Sequence, residues 1–177
     1  VVAIVMQRSR WFIPWLPREF REALDTLSIA ALRVDSATYY VAKGDHLRFS
    51  PRAARARAYY DSAVKVLEPR VHRMPDQPHA HSLLGLALAG LGRFDEAIAE
   101  GRRAVALAPA SRNLFVGAEM LADLARIYVA AGKFDAALDQ LTALVALHTH
   151  ATPVFVKLHP EFVPLRSMPR FRALTGQ

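Results

Sequence analysis

Side chains able to do chemistry are sparse in this sequence. Two histidine pairs, His79/His81 and His148/His150, come nearest to a metal site. Residues two apart do not share a helix face, and a helical two-histidine site uses a spacing of four. No third ligand lies beside either pair, so no metal site is expected. His79 and His81 fall at a predicted helix start, and His148 and His150 at a helix end, where a cationic imidazole suits the helix dipole. The 177 residues include no cysteine, which excludes disulfides, thiolate ligands and a cysteine nucleophile but identifies no redox compartment. No serine stands in a Gly-x-Ser-x-Gly turn. The adjacent carboxylates Asp95 and Glu96 belong to a solvent-facing turn. A hydrolytic enzyme needs acids or histidines clustered in one pocket, and the spacing predicts no such cluster. The expectation is a chain with no catalytic residues, no metal and no cofactor.

Charge gives a second candidate chemistry. The net charge is +7, and the bases are nearly all arginines spread along the chain. Arg52/Arg55/Arg57 and Arg102/Arg103 are close-set, with Asp61, Asp95, Glu96 and Glu100 among or near them. A nucleic-acid surface needs a stripe of bases with aromatic stacking partners. The pattern here is that of solvated, arginine-biased helix faces, so no nucleic-acid partner is expected.

The elements that position these residues are read from a repeat. Leu91-Gly92-Arg93-Phe94-Asp95-Glu96-Ala97-Ile98 has a near copy at Ala131-Gly132-Lys133-Phe134-Asp135-Ala136-Ala137-Leu138, forty residues on. Each glycine follows one helical-period apolar run and precedes another, so it ends one helix and turns the chain into the next. Each phenylalanine then falls in the first turn of the second helix, where it can wedge between the pair. Two copies of a helix–turn–helix unit at a fixed offset mark a helical repeat array. The apolar fraction of 53% with 22% charged residues is that of a globular chain, long enough for one domain.

In order, residues 1–34 read as N-terminal helices. The apolar stretch Val1 to Met6 suits a surface covered by a preceding repeat, or one that joins two copies of the chain. No charged leader precedes an apolar run and nothing approaches a membrane span, so the chain reads as a segment of something longer. Residues 35–73 form a degenerate repeat, with Asp35 and Ser36 capping a helix over 37–46 and Ser50-Pro51 opening another to about Arg70. Met74 to Pro78 is a linker. Residues 78–109 form the next repeat, with Leu84, Leu88, Phe94, Ala97 and Ile98 facing inward. Gly101, costly in a helix interior, is expected to permit a close helix crossing. Ser111 to Gly117 is an insertion, and residues 118–149 form the third repeat around Leu121, Leu124, Tyr128, Phe134, Ala137, Leu141 and Leu144. The proline-rich stretch 151–177, with Leu158, Phe162, Leu165, Phe171 and Leu174 as anchors, is expected to cap the open end.

At these residues the chain resembles the tetratricopeptide repeats. Leu84-Gly85, Leu88, Gly92, Phe94, Ala97, Ala104 and Pro109 fit that family's spacing, and Leu121, Leu124, Ala125, Tyr128, Gly132, Phe134 and Ala137 fit it again. His81 and Gly101 stand where aromatics are common, and the third copy lacks its closing proline. Asp61-Ser62-Ala63, Leu124 to Tyr128 and Leu158-His159-Pro160-Glu161-Phe162-Val163-Pro164-Leu165-Arg166 are also similar to the C-terminal repeat regions of bacterial serine/threonine protein kinases and related signalling proteins. In those relatives catalysis lies in a separate domain, and no kinase motif occurs here. Some place a membrane span between kinase and repeats, so the resemblance leaves the cytoplasmic and the extracytoplasmic side open.

The resemblance implies an all-α, right-handed superhelical array of helix–turn–helix pairs with an irregular C-terminal cap, acting as a non-catalytic protein-interaction or sensory module. Its first helices would line a concave groove for a peptide or protein partner. Transferred to this chain, the contacts are Asp45, Arg48, His79, Ser82, Leu86, Glu119, Ala122 and Arg126. Arg48, Glu119 and Arg126 could hydrogen-bond an extended peptide or grip a terminal carboxylate. Self-assembly is the alternative use of such a scaffold.

Overall fold

The computed structural model describes residues 35–149 and 151–177, together with Thr26 and Ile29. The N-terminal helices expected over 1–34, the apolar Val1 to Met6 stretch and His150 lie outside these, apart from those two positions. Helix α1 (Ser36–Arg48) is followed by a 3₁₀ turn (Ala53–Arg55), α2 (Ala56–Arg73), α3 (Pro78–Leu91), α4 (Phe94–Leu107), α5 (Leu114–Ala130) and α6 (Phe134–Ala146). The C-terminal stretch adds α7 (Pro153–Leu158), a second 3₁₀ turn (Pro160–Leu165) and α8 (Pro169–Thr175). The chain is all-helical, with no strand among the described residues.

Consecutive helices pair as α1/α2, α3/α4 and α5/α6, and neighbouring pairs stack through α2 on α3 and α4 on α5. The first helices α1, α3 and α5 also touch in sequence, forming one inner layer. This is a helical repeat solenoid.

Local chemistry explains the boundaries. The Asp35 carboxylate accepts from the Thr38 backbone N–H at 3.1 Å, capping α1 where expected. Gly92 and Gly132 carry φ angles of 84° and 69°, and the N–H of the following residue returns to the Leu88 or Tyr128 carbonyl in each copy. Glycine takes that left-handed conformation without a Cβ penalty. Gly101 serves close packing: a Cβ there would lie 2.9 Å from both Ile127 Cδ1 and Leu124 Cδ1.

Three boundaries depart from expectation. The second helix of the first pair starts at Ala56, because Pro51 lies in a turn in which Ser50 Oγ donates to the Leu47 carbonyl and accepts from Arg52 N–H. Helix α2 also continues past Arg70 to Arg73, with Pro69 inside it. Most of the expected 111–117 insertion is helical, since Asn113 Oδ1 accepts from Val116 N–H and starts α5 at Leu114.

The core runs along the stack. Leu67, Tyr60, Leu84, Leu88, Ala97 and Ile127 belong to one buried cluster, and Leu124, Tyr128, Ala137, Leu138, Leu141 and Leu144 to a second. Phe134 packs against the second, whereas its counterpart Phe94 is 38% exposed and does not wedge fully between its helices. Val156, Phe162, Leu165 and Phe171 from the C-terminal stretch join the second cluster fully buried. Leu158, expected as an anchor, is exposed. Val156 turns α7 toward the core, and a residue two positions later faces the opposite side.

Candidate functional site

The inner layer converges on a buried ion cluster. Arg126 on α5 places Nη2 2.5 Å from Asp45 Oδ2 on α1 and 2.8 Å from Glu161 Oε1 in the second 3₁₀ turn. Its Nη1 donates to Asp123 Oδ1 at 3.1 Å and its Nε to Glu161 Oε2 at 2.9 Å. Arg48 at the end of α1 reaches Glu161 Oε2 at 2.6 Å. Tyr60 Oη donates to Asp45 Oδ1 at 2.8 Å, and Ser82 Oγ on α3 donates to Asp123 Oδ2 at 2.6 Å. Two guanidiniums therefore hold three carboxylates drawn from α1, α5 and the C-terminal cap.

Burial makes each of these partners necessary, because an unpaired charge in a low-dielectric interior is very costly. Burial alone would raise the Glu161 carboxyl, but the charges of Arg126 and Arg48 overcome it and hold the group at about 2. Burial, reinforced by Asp45, pushes the Tyr60 hydroxyl well above its ordinary value, so it remains a donor. Beside the cluster, burial lowers His159 to about 4, helped by Arg126 and Arg48 and opposed by Glu161 and Asp45. The neutral ring accepts from the Glu161 backbone N–H through Nδ1 at 3.3 Å and lies between Phe155 and Phe162.

Of the eight residues expected to line the groove, Ser82, Leu86, Ala122 and Arg126 are buried and form a floor beneath the surface. Asp45 and Arg48 are engaged in the cluster. The carboxylate held by Arg48 and Arg126 is the chain's own Glu161. His79 and Glu119 remain at the rim, 3.3 Å apart across α3 and α5, with the His79 side chain 52% exposed. Phe115, one turn before Glu119 on the same face of α5, is 73% exposed.

Sequence reading missed Asp123, Glu161 and Phe115. Asp123, three residues before Arg126 on one helix face, left a local signal. Glu161 left none, since its partners are 113 and 35 residues away.

His81, in the place of the usual large aromatic, is buried with both ring nitrogens engaged: Nδ1 with Glu100 Oε2 at 2.6 Å and Nε2 with the Pro75 carbonyl at 2.8 Å. It ties the linker to α4. Arg102 donates to Tyr128 Oη at 2.8 Å, joining the second pair to the third. Among the described residues no group of three or more histidines and carboxylates could hold a metal ion, and no helix is long and apolar enough to cross a membrane.

The arrangement is a buried ion cluster in which Arg48 Nε alone among the guanidinium nitrogens lies buried without a hydrogen-bond partner, with an aromatic and the His79–Glu119 contact on its rim. Residues 41–112 and 122–160, well over half of the chain, match the profile of the tetratricopeptide repeat family. No curated protein and no solved structure matches the chain. The helix pairs, their glycine turns and the matched segments agree, and the chain belongs to the tetratricopeptide repeat family.

Proposed function

We propose that the chain is a non-catalytic protein-interaction module that docks a partner's peptide or protein segment on the inner-face rim. The carrying observation is the juxtaposition of exposed Phe115 with the His79–Glu119 pair, on two successive inner helices. Aromatic side chains, phenylalanine included, are enriched at protein interfaces, and the partly exposed His79–Glu119 contact beside this one adds hydrogen-bonding groups. Family membership supports a protein partner. The clustered carboxylates Asp45, Asp123 and Glu161 are all neutralised by guanidiniums, which supports a non-catalytic role. The likeness of the Leu158 to Arg166 stretch to repeat tails of bacterial kinases supports placing the module in a larger signalling protein.

The test is affinity capture on the immobilised chain, compared with Phe115→Ala plus Glu119→Arg at unchanged circular dichroism. Partners captured by the wild type and lost by the double variant are expected. An identical partner set from both proteins refutes the assignment of the rim.

A further inference from the structure

The C-terminal cap carries apolar side chains and cations that neither the ion cluster nor the rim uses. Val154, Leu158 and Val163 are 61%, 54% and 50% exposed, so each stands well out of the surface. Val154 and Leu158 are one turn apart on α7, and Lys157 lies beside them, three residues after Val154. Val163 and Arg166 are likewise three apart along the second 3₁₀ turn and its C-cap, where such positions eclipse. Arg166 Nη2 donates to the Leu158 carbonyl at 3.5 Å, which joins the two elements into one strip. The strip is held from beneath. Thr152 Oγ1 caps α7 by accepting from Phe155 N–H at 3.2 Å, and Val156, Phe162 and Leu165 on the same two elements are fully buried.

The charge beside this strip is unbalanced. Residues 151–177 hold Lys157, Arg166, Arg170 and Arg172 but one acid, Glu161. Glu161 is taken by Arg48 and Arg126, and Arg170 by Asp135 and Asp139 of α6. Lys157, Arg166 and Arg172 make no ion pair among the described residues. An occupant must therefore be apolar at its centre and anionic around it. It must also receive side chains that project from a six-residue helix and a tight turn and line no groove. A bilayer with anionic headgroups meets all three conditions, and it takes up aliphatic side chains without a shaped counterpart.

We propose that the cap docks on an anionic membrane surface, with Val154, Leu158 and Val163 seated at the acyl-chain boundary and Lys157 and Arg166 among the headgroups. Long cationic side chains suit that depth, since the stem lies against apolar surroundings while the charge stays in water.

The test is co-sedimentation of the full chain with vesicles of phosphatidylcholine alone and with about 30% phosphatidylglycerol, at about 0.1 M salt. The chain is expected to sediment with the anionic vesicles and to stay in solution with the neutral ones, where the headgroup attraction is absent. Val154→Ser plus Leu158→Ser plus Val163→Ser keeps the net charge of +7 and is expected to weaken partitioning at least about tenfold. Lys157→Ser plus Arg166→Ser is expected to weaken it about thirtyfold, about fivefold for each cation. Arg57→Ser plus Arg73→Ser removes the same charge from α2 in the first helix pair and is expected to leave partitioning near that of the wild type, because exposed charges beyond about 10 Å are screened. The chain has no cysteine, so Leu158→Cys takes up one environment-sensitive dye, whose emission is expected to shift to the blue on anionic vesicles. A wild type that ignores anionic vesicles overturns the proposal and leaves the strip to an acidic protein segment. Equal sedimentation with both kinds of vesicle, equal losses from the cap and α2 cation variants, full partitioning of the triple serine variant, or an unshifted dye overturn it as well.

Discussion

Lowering the pH from 7 to 5 should destabilise this fold through one residue, His159. An unfolded histidine titrates near 6.5, and burial beside Arg126 and Arg48 lowers the folded value to about 4. With the folded value depressed, the unfolded state binds the extra proton between these limits. Stability is therefore full above about 6.5, is lost as pH falls through the interval, and levels off below about 4. At about 1.4 kcal/mol per pH unit the whole interval is worth about 3 kcal/mol, of which about 2 kcal/mol is lost between pH 7 and 5. The geometry agrees. Protonating Nδ1 removes the acceptor for the Glu161 N–H and sets a third cation beside the two guanidiniums. The assay is urea unfolding followed by circular dichroism at half-unit pH steps, for the wild type and His159→Asn. Asparagine can still accept from Glu161 N–H as an Asx turn, and it does not titrate. The stability difference between the two proteins should shrink by about 2 kcal/mol from pH 7 to 5. Parallel pH curves would refute the reasoning, because the loss would then belong to other groups.

Arg126→Met should cost about 3–5 kcal/mol in chemical unfolding, since it strips Asp45, Asp123 and Glu161 of their shared cation in the interior; a loss below about 1 kcal/mol would contradict the cluster. Glu161→Gln should be milder, because it leaves two guanidiniums facing two carboxylates. It should also reduce the stability loss seen as pH falls from about 4.5 toward 2, the window set by the depressed Glu161 carboxyl, while the share of the depressed Asp35 carboxyl remains. Gly117→Ala should lower the melting temperature even though alanine is the better helix former, because the new Cβ would lie 2.5 Å from the Ala110 backbone nitrogen. A rise in melting temperature would show that the segment between α4 and α5 yields freely.

The fold was legible because its determinants are local and duplicated. Gly92 and Gly132 each end a helix by a left-handed turn, and the same order of residues follows each of them, so one copy checks the other. The first pair was harder. It replaces the glycine turn with Ser50 bonding back to Leu47, and a 3₁₀ turn then delays α2 to Ala56. Pro51 signalled a helix start that the backbone uses only as a turn. The cap was legible as anchors but not as a direction: Phe162, Leu165 and Phe171 are buried as their character demands, while Leu158 sits on the wrong face of its short helix.

The inner-face chemistry was legible only as composition. Transfer of groove positions selected Asp45, Arg48 and Arg126, and these three do converge, but what they converge on is Glu161. Nothing in the sequence pairs a cap glutamate with an arginine 113 residues earlier, because a contact between distant turns leaves no periodicity. Nor is that glutamate cheaply displaced. Phe162 beside it, with Leu165 and Phe171, is buried completely, and each such side chain contributes about 1.5–3 kcal/mol. Expelling the cap to free two arginines would expose all of them. The cap is thus a fixed part of the platform, and a partner gains nothing by competing for its carboxylate. A partner on this face would meet the residues that the cluster leaves outside, which is why Phe115, His79 and Glu119 carry the proposed contact rather than the arginines.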